Sequence, residues 1–330
     1  MKELIEQKNI DIIIREYIYM SLFMFIYAFF VSFLFQKWVV PVYGYTGFSI
    51  NINYQNLFLS IMYLLIIIML IIINSNKIKI FFLNILIMLC FIPMLCLYSF
   101  TREFAKFDNF VLIVFCSIVF ISMILLVRIK SSKIHSNSKI KTKLNIIISI
   151  LILITLTRYI INNGFKIFNL NFDKIYYYRL ILRETMAGYM AYVDGWVYNI
   201  FNPICIVLSL HYRKIILFIF FLSMQIILYG FSSQKSVLFT GFIVIVFYYM
   251  TPYILKDKYY LLKMAIFANF TAVILWKLNV TGHFCAMYDR LLFTPARINY
   301  YYYDYFSKNG FDWFRQSFLR KFTQSNYELL

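Results

Sequence analysis

The sequence predicts an all-α, polytopic membrane protein with about nine transmembrane helices and outer interfacial helices, and three observations carry that expectation. Apolar residues make up 62% of the chain and charged residues only 14%, with a mean hydropathy of +0.75. Soluble domains run nearer about 45–50% and about 25%, so a water-filled exterior could not hide this surface. The apolar residues also fall in blocks of roughly 20, the length that crosses a bilayer as a helix. Finally, a block such as 57–73 is continuously apolar, without the alternation of a barrel strand.

Spans are expected near 17–36, 57–74, 80–99, 109–127, 144–162, 191–210, 215–231, 236–253 and 264–280. The connections then set the orientation. Arg128, Lys130, Lys133, Lys139, Lys141 and Lys143 follow the fourth span; Lys77 and Lys79 follow the second; Arg213 and Lys214 the sixth; Lys256, Lys258 and Lys263 the eighth. All fall on one side, and the positive-inside bias makes that side cytoplasmic, with the N-terminus inside. An odd span count places the C-terminal segment outside, in the periplasm of a bacterium, so the expected location is the bacterial inner membrane. Residues 1–330 read as a single integral membrane domain. Its longer outer segments are about 37–56, 163–190 and 281–330.

The formal charge of +18 would suggest nucleic acid in a soluble protein. Between apolar spans it speaks instead for topology and an anionic bilayer, and no nucleic-acid partner is expected. Cys90, Cys96, Cys116, Cys205 and Cys285 form no C-x-x-C pair and read as small apolar residues. His135, His211 and His283 are far apart, so neither a metal nor a cofactor is expected. Glu3, Glu6, Asp11 and Glu16 precede the first span, unlike the basic start of a cleaved signal peptide.

Chemistry concentrates in four places. Asp173–Gly188 reads as an amphipathic outer helix, capped by Asp173 and ended by Gly188. Tyr176, Arg179 and Arg183 share one of its faces, and two guanidiniums one turn apart suit a phosphate or diphosphate. Pairing with Glu184 or a lipid headgroup is an equal alternative. The sixth span holds Asp194, Trp196, Asn199, Asn202 and Pro203. Trp196, Asn199 and Pro203 are spaced to line one face, towards the bundle or a wet cavity, with helix-to-helix hydrogen bonding as the alternative. Pro203 frees the carbonyl of Asn199. Lys235 lies in the short turn Phe231-Ser-Ser-Gln-Lys-Ser236, at an outer interface or in a cavity, where a lone lysine often only snorkels. In the tail, Thr294 and Pro295 make a helix start as N-cap and first helical residue. Arg290, Arg297, Tyr300 to Tyr303 and Asp304 then present charge and aromatic faces at the surface, suited to sugars, or to an interfacial anchor. Arg315, Arg320 and Lys321 add further outer charge. Walker A, G-x-G-x-x-G, G-x-S-x-G and H-E-x-x-H motifs are missing, so any reaction would draw on an activated substrate or on ion coupling.

Five stretches, in this order, resemble the O-antigen (oligosaccharide repeat-unit) polymerases of the Wzy type. They are Pro41-Val-Tyr43 with Gly47-Phe48; Pro93-Met-Leu with Leu97-Tyr98; Trp196 with Asn202-Pro203; Gln225 followed by Gln234-Lys235-Ser236; and Arg290, then Pro295-Ala296, then Tyr302-Tyr-Asp-Tyr-Phe306. The last is the most specific. Where the family has Gly-His before Lys-Ser, this chain has Ser233-Gln234. The family also continues through more of the last outer loop and further spans, so the resemblance implies a C-terminal truncation.

The resemblance implies a glycosyltransferase. A growing glycan passes from undecaprenyl diphosphate to the non-reducing end of a new lipid-linked repeat unit, and the lipid diphosphate leaves. Arg179, Arg183, Arg290 and Arg297 would hold the diphosphate, Lys235, Trp196 and Tyr302 would join them in binding the diphosphate or the glycan, and Asp194 or Asp304 would take the acceptor proton. A chain-length regulator and a flippase of the same pathway are the implied protein partners. A transporter or flippase of the same lipid-linked glycan, and an inactive truncated remnant, are the competing expectations.

Overall fold

The computed structural model describes residues 2–46, 48–74, 77–126, 138–163, 165–171, 174–185, 190–279 and 282–310, with backbone alone at 2–10, 46, 73–74, 77–78, 125, 138–145 and 183–185. Among these residues the chain is all-α; the only extended pairing is a bridge between Ile50 and Thr101. Among the described residues nine helices are long and apolar enough to cross a membrane: Asp11–Tyr43, Tyr54–Ile72, Lys79–Phe100, Phe107–Ile124, Ile146–Asn163, Met190–His211, Ile215–Ser232, Lys235–Lys256 and Tyr260–Lys277. The protein is therefore a polytopic helical membrane protein. The first helix outruns the expected span and stays helical through Tyr43, into the segment expected to lie outside. Trp38 and Val39 are buried, which holds that extra turn in place.

Proline explains the commonest irregularity. Four helices contain a π-helical turn, at Phe35–Val39, Ile87–Phe91, Val197–Phe201 and Asp289–Phe293. Each turn is followed, after one residue, by proline: Pro41, Pro93, Pro203 and Pro295. Proline has no N–H and its ring collides with the carbonyl four residues back; widening the preceding turn relieves that collision. The residue before each proline reaches back five positions: Val40 to Phe35, Ile92 to Ile87, Asn202 to Val197 and Thr294 to Asp289. The carbonyl one residue further on then loses both its α donor and its π donor. Tyr27 Oη donates to the oxygen so freed at Met88, at 3.1 Å, and Gln225 Nε2 to the one at Tyr198, at 2.9 Å.

The described residues form two compact units, one within 1–130 and 252–311, the other within 131–251. At the centre of the first is the third span, whose residues 92–100 are all buried. The first and second spans pack beside it, and the ninth packs along the first. One end of this unit is closed by residues 48–53, tied to the third span by Asn51 N–H to Phe100 O at 2.8 Å and Asn53 N–H to Ser99 O at 3.1 Å. Asn56 Nδ2 braces the same end, donating to Tyr98 O and Ala105 O.

In the second unit the sixth and seventh spans form a hairpin, with the fifth packed on both. The Phe168 ring lies against Gly230, where an added Cβ would come within 2.3 Å of it, and Asn169 N–H donates to Gly230 O at 3.0 Å. Only glycine permits that approach.

Candidate substrate site

The tail enters the first unit rather than resting on a surface. Helix Gly282–Tyr288, the π turn Asp289–Phe293 and helix Thr294–Asn309 run on continuously. Thr294 has helical angles (φ −58°, ψ −48°), so it is not the expected N-cap. Pro295 is accommodated by the π turn, and the Thr294 hydroxyl donates to Asp289 Oδ2 at 2.8 Å. Cys285, Leu292, Phe293, Ala296 and Tyr300 are buried. Phe293 packs on Phe35 with 4.6 Å between ring centroids, and Tyr300 Oη donates to Met94 O at 2.8 Å. Of the four tyrosines expected to face outward, Tyr300 therefore points in; Tyr301 and Tyr302 are exposed.

This arrangement makes a charged cluster near residues 44–53. Asp289 is 6% exposed, and its Oδ1 has no hydrogen-bond partner among the described residues. Burial pushes its carboxyl above the usual carboxylate range, against the Thr294 hydrogen bond and the positive charges of Arg297 and Arg290. The Arg297 guanidinium carbon lies 4.9 Å from the centroid of the Phe48 ring, a cation–π contact. Arg290 is exposed. Asp304 is exposed on the same helix and accepts from Lys308 at 2.7 Å, which holds its carboxyl below the usual range. Tyr302 is 60% exposed and stacked on Phe306.

The second unit gathers a different set. Asp194 is buried in the sixth span and pairs with Arg158 of the fifth, Nη1 to Oδ2 at 2.5 Å. An arginine within a span is itself a signal of function or pairing. Trp196 and Asn199 are exposed while Pro203 is buried, so the face expected to unite them does not exist. The intervening π turn shifts the helical phase and turns Asp194, Tyr198 and Asn202 inward instead.

Arg179, on helix Ile175–Thr185, donates to Ser233 O at 3.4 Å and lies 5.7 Å over Tyr176. Arg183 shares that helix, but its side chain lies outside the described residues, as do Asp173, Gly188, Arg315, Arg320 and Lys321. Lys235 begins the eighth span after a tight reversal in which Ser233 is left-handed (φ 49°, ψ 33°). Gln225 ties this reversal together: it accepts from Asn202 Nδ2 at 2.5 Å and donates to Tyr198 O and Val237 O.

The charges of Arg290 and Arg297 therefore act on a buried carboxylate, Asp289, that sequence reasoning did not single out. Its signal was the neighbouring Arg290, but a carboxylate beside an arginine looks like a surface pair until burial is known. No group of three His, Cys, Asp or Glu side chains placed to hold a metal exists among the described residues. The chain matches no family model, no curated protein and no solved structure.

Proposed function

We propose that this protein is a membrane glycosyltransferase that polymerises oligosaccharide repeat units carried on undecaprenyl diphosphate, at the end of the first unit that bears residues 44–53. The observation that carries the reading is that the positive charges of Arg290 and Arg297 both act on a buried, incompletely bonded Asp289, within the segment most specific to the O-antigen polymerase resemblance. Guanidiniums are suited to a leaving diphosphate because each offers two parallel donors to adjacent oxygens. They would offset the charge that grows on the diphosphate as its bond to the anomeric carbon breaks.

The left-handed Ser233 adds support. It occupies the backbone conformation that glycine favours, at the position where the resembled pattern has glycine. The acceptor would be a second lipid-linked repeat unit, with its non-reducing end at the same site. On this reading the site faces the periplasm, and the chain works beside a flippase and a chain-length regulator.

Deleting the gene tests the reading. The expected phenotype is lipopolysaccharide or a related glycan that carries one repeat unit in place of a ladder. Loss of even the single repeat would point to transport of the lipid-linked unit, and an unchanged ladder would end the proposal.

A further inference from the structure

Two buried hydrogen-bonding atoms are left unmatched on facing elements of the first unit. Asp289 Oδ1 is an acceptor on the tail's π turn. Trp38 Nε1–H is a donor on the π turn of the first span, in a residue 2% exposed. The two elements are in contact. Cys285, one turn before Asp289, reaches the Trp38 carbonyl, with Sγ at 3.6 Å, and the Trp38 and Tyr288 rings lie 6.0 Å apart. At two other π turns, Tyr27 and Gln225 satisfy the carbonyls that Pro93 and Pro203 free. Buried polar groups are nearly always satisfied, and an unmatched donor and acceptor on touching elements point to a small group that completes both. A hydroxyl does so, since it donates once and accepts twice.

We infer that Asp289 is the proton acceptor of the transfer reaction, with the acceptor sugar's hydroxyl held between Asp289 Oδ1 and Trp38 Nε1. This rests on the polymerase reading and replaces its open choice of base. The hydroxyl oxygen forms a bond to the anomeric carbon of the donor glycan. The bond from that carbon to the diphosphate breaks, its electron pair leaves with the lipid diphosphate, and the hydroxyl proton passes to Asp289. The Thr294 hydroxyl is a positioning group that anchors the opposite oxygen, Oδ2. Neither earlier candidate is placed as well. Asp194 in the second unit also keeps one oxygen unbonded among the described residues, but its other oxygen is ion-paired with the Arg158 guanidinium, which stabilises the carboxylate and weakens it as a base; Asp304 is an exposed, lysine-paired carboxylate and so a weak base.

The groups that bear on Asp289 are Tyr43 of the first span, Cys285, Thr294, Arg290 and Arg297. Because the Thr294 hydrogen bond lowers the Asp289 pKa, its removal should raise it. The base is active when deprotonated, so the acid limb of the rate profile should move to higher pH.

The experiment uses the chain reconstituted in nanodiscs, with the undecaprenyl-diphosphate-linked single repeat unit isolated from cells that lack it. Asp289→Asn keeps the shape and should cut turnover at least 100-fold, with binding of the lipid-linked unit changed less than threefold. Thr294→Val should shift the acid limb upward by about half a pH unit or more, an interval typical of one lost hydrogen bond. If the wild-type chain polymerises while Asp289→Asn retains a tenth of its rate, or Thr294→Val leaves the limb in place, the assignment of Asp289 is wrong and the polymerase reading stands. If the wild-type chain binds the unit but never polymerises it, the polymerase reading itself fails and takes the assignment with it.

Discussion

Gln225 Nε2 donates at 2.9 Å to the carbonyl of Tyr198, a backbone oxygen for which Pro203 leaves no N–H donor. One side chain thereby mends a defect that proline creates in a neighbouring helix. The same amide donates to Val237 O at 2.6 Å, so three consecutive spans meet at a single buried residue.

Gln225→Leu should therefore destabilise the protein more than an ordinary interhelical hydrogen bond would suggest. Such bonds in bilayers average about 0.6 kcal/mol. Leaving a buried group unpaired costs about 1–3 kcal/mol, and here the carbonyls of Tyr198 and Val237 and the amide of Asn202 all lose a partner. Pro203→Ala would restore a backbone N–H, so in that background Gln225→Leu should cost less. A thermal-melting double-mutant cycle in detergent measures the coupling. An equal cost in both backgrounds would show that the freed carbonyl is not what Gln225 serves.

Ser233 adopts φ 49° with a buried hydroxyl that has no partner. Glycine has no steric penalty in that region, where other residues lose roughly 1–2 kcal/mol. Ser233→Gly should hold or raise the melting temperature, and Ser233→Val should lower it, because a β-branched side chain fits left-handed backbone worst. A reversed order would mean that the hydroxyl has a role of its own.

For the arginines, charge alone should not suffice. Lysine is a point charge without the planar fork that the Arg297 guanidinium places 4.9 Å from the Phe48 ring centroid. Arg297→Lys should impair polymerisation nearly as much as Arg297→Ala, and Arg183→Lys is expected to do the same. Each lost charge-assisted contact is worth about 1.5–3 kcal/mol, roughly 10- to 100-fold in rate if it is made in the transition state. Arg320→Ala, outside the resembled pattern, should be near silent. Normal ladders from both lysine variants at normal protein levels would reduce these arginines to interface charges.

Topology is open to a direct check. In a cysteine-free background, single cysteines placed at Ser132 and Asn309 should react with a membrane-impermeant reagent from opposite sides, Ser132 from the cytoplasm. The basic stretch 128–143 motivates the expectation. Labelling from the same side would overturn the orientation and the parity of the spans.

Burial of apolar side chains in lipid depends on composition and length alone, so the class of the protein and the rough position of every span were legible in the sequence. The positions of the prolines were legible too, and with them the places where a helix must deform. The form of the deformation was not. Thr294 and Pro295 spell a helix start by local rules, yet the chain runs straight through them, because Phe293, Ala296 and Tyr300 are buried in the first unit on both sides of the break. Trp196 and Pro203 share a face at ordinary helical spacing and lose it to an intervening π turn. Asp289 looks like a surface partner of Arg290 until tertiary packing buries it and leaves one oxygen unbonded. Local sequence fixes which backbone groups are missing a partner. Only the fold decides which neighbour, if any, arrives to supply one, because that depends on contacts between residues far apart in the chain.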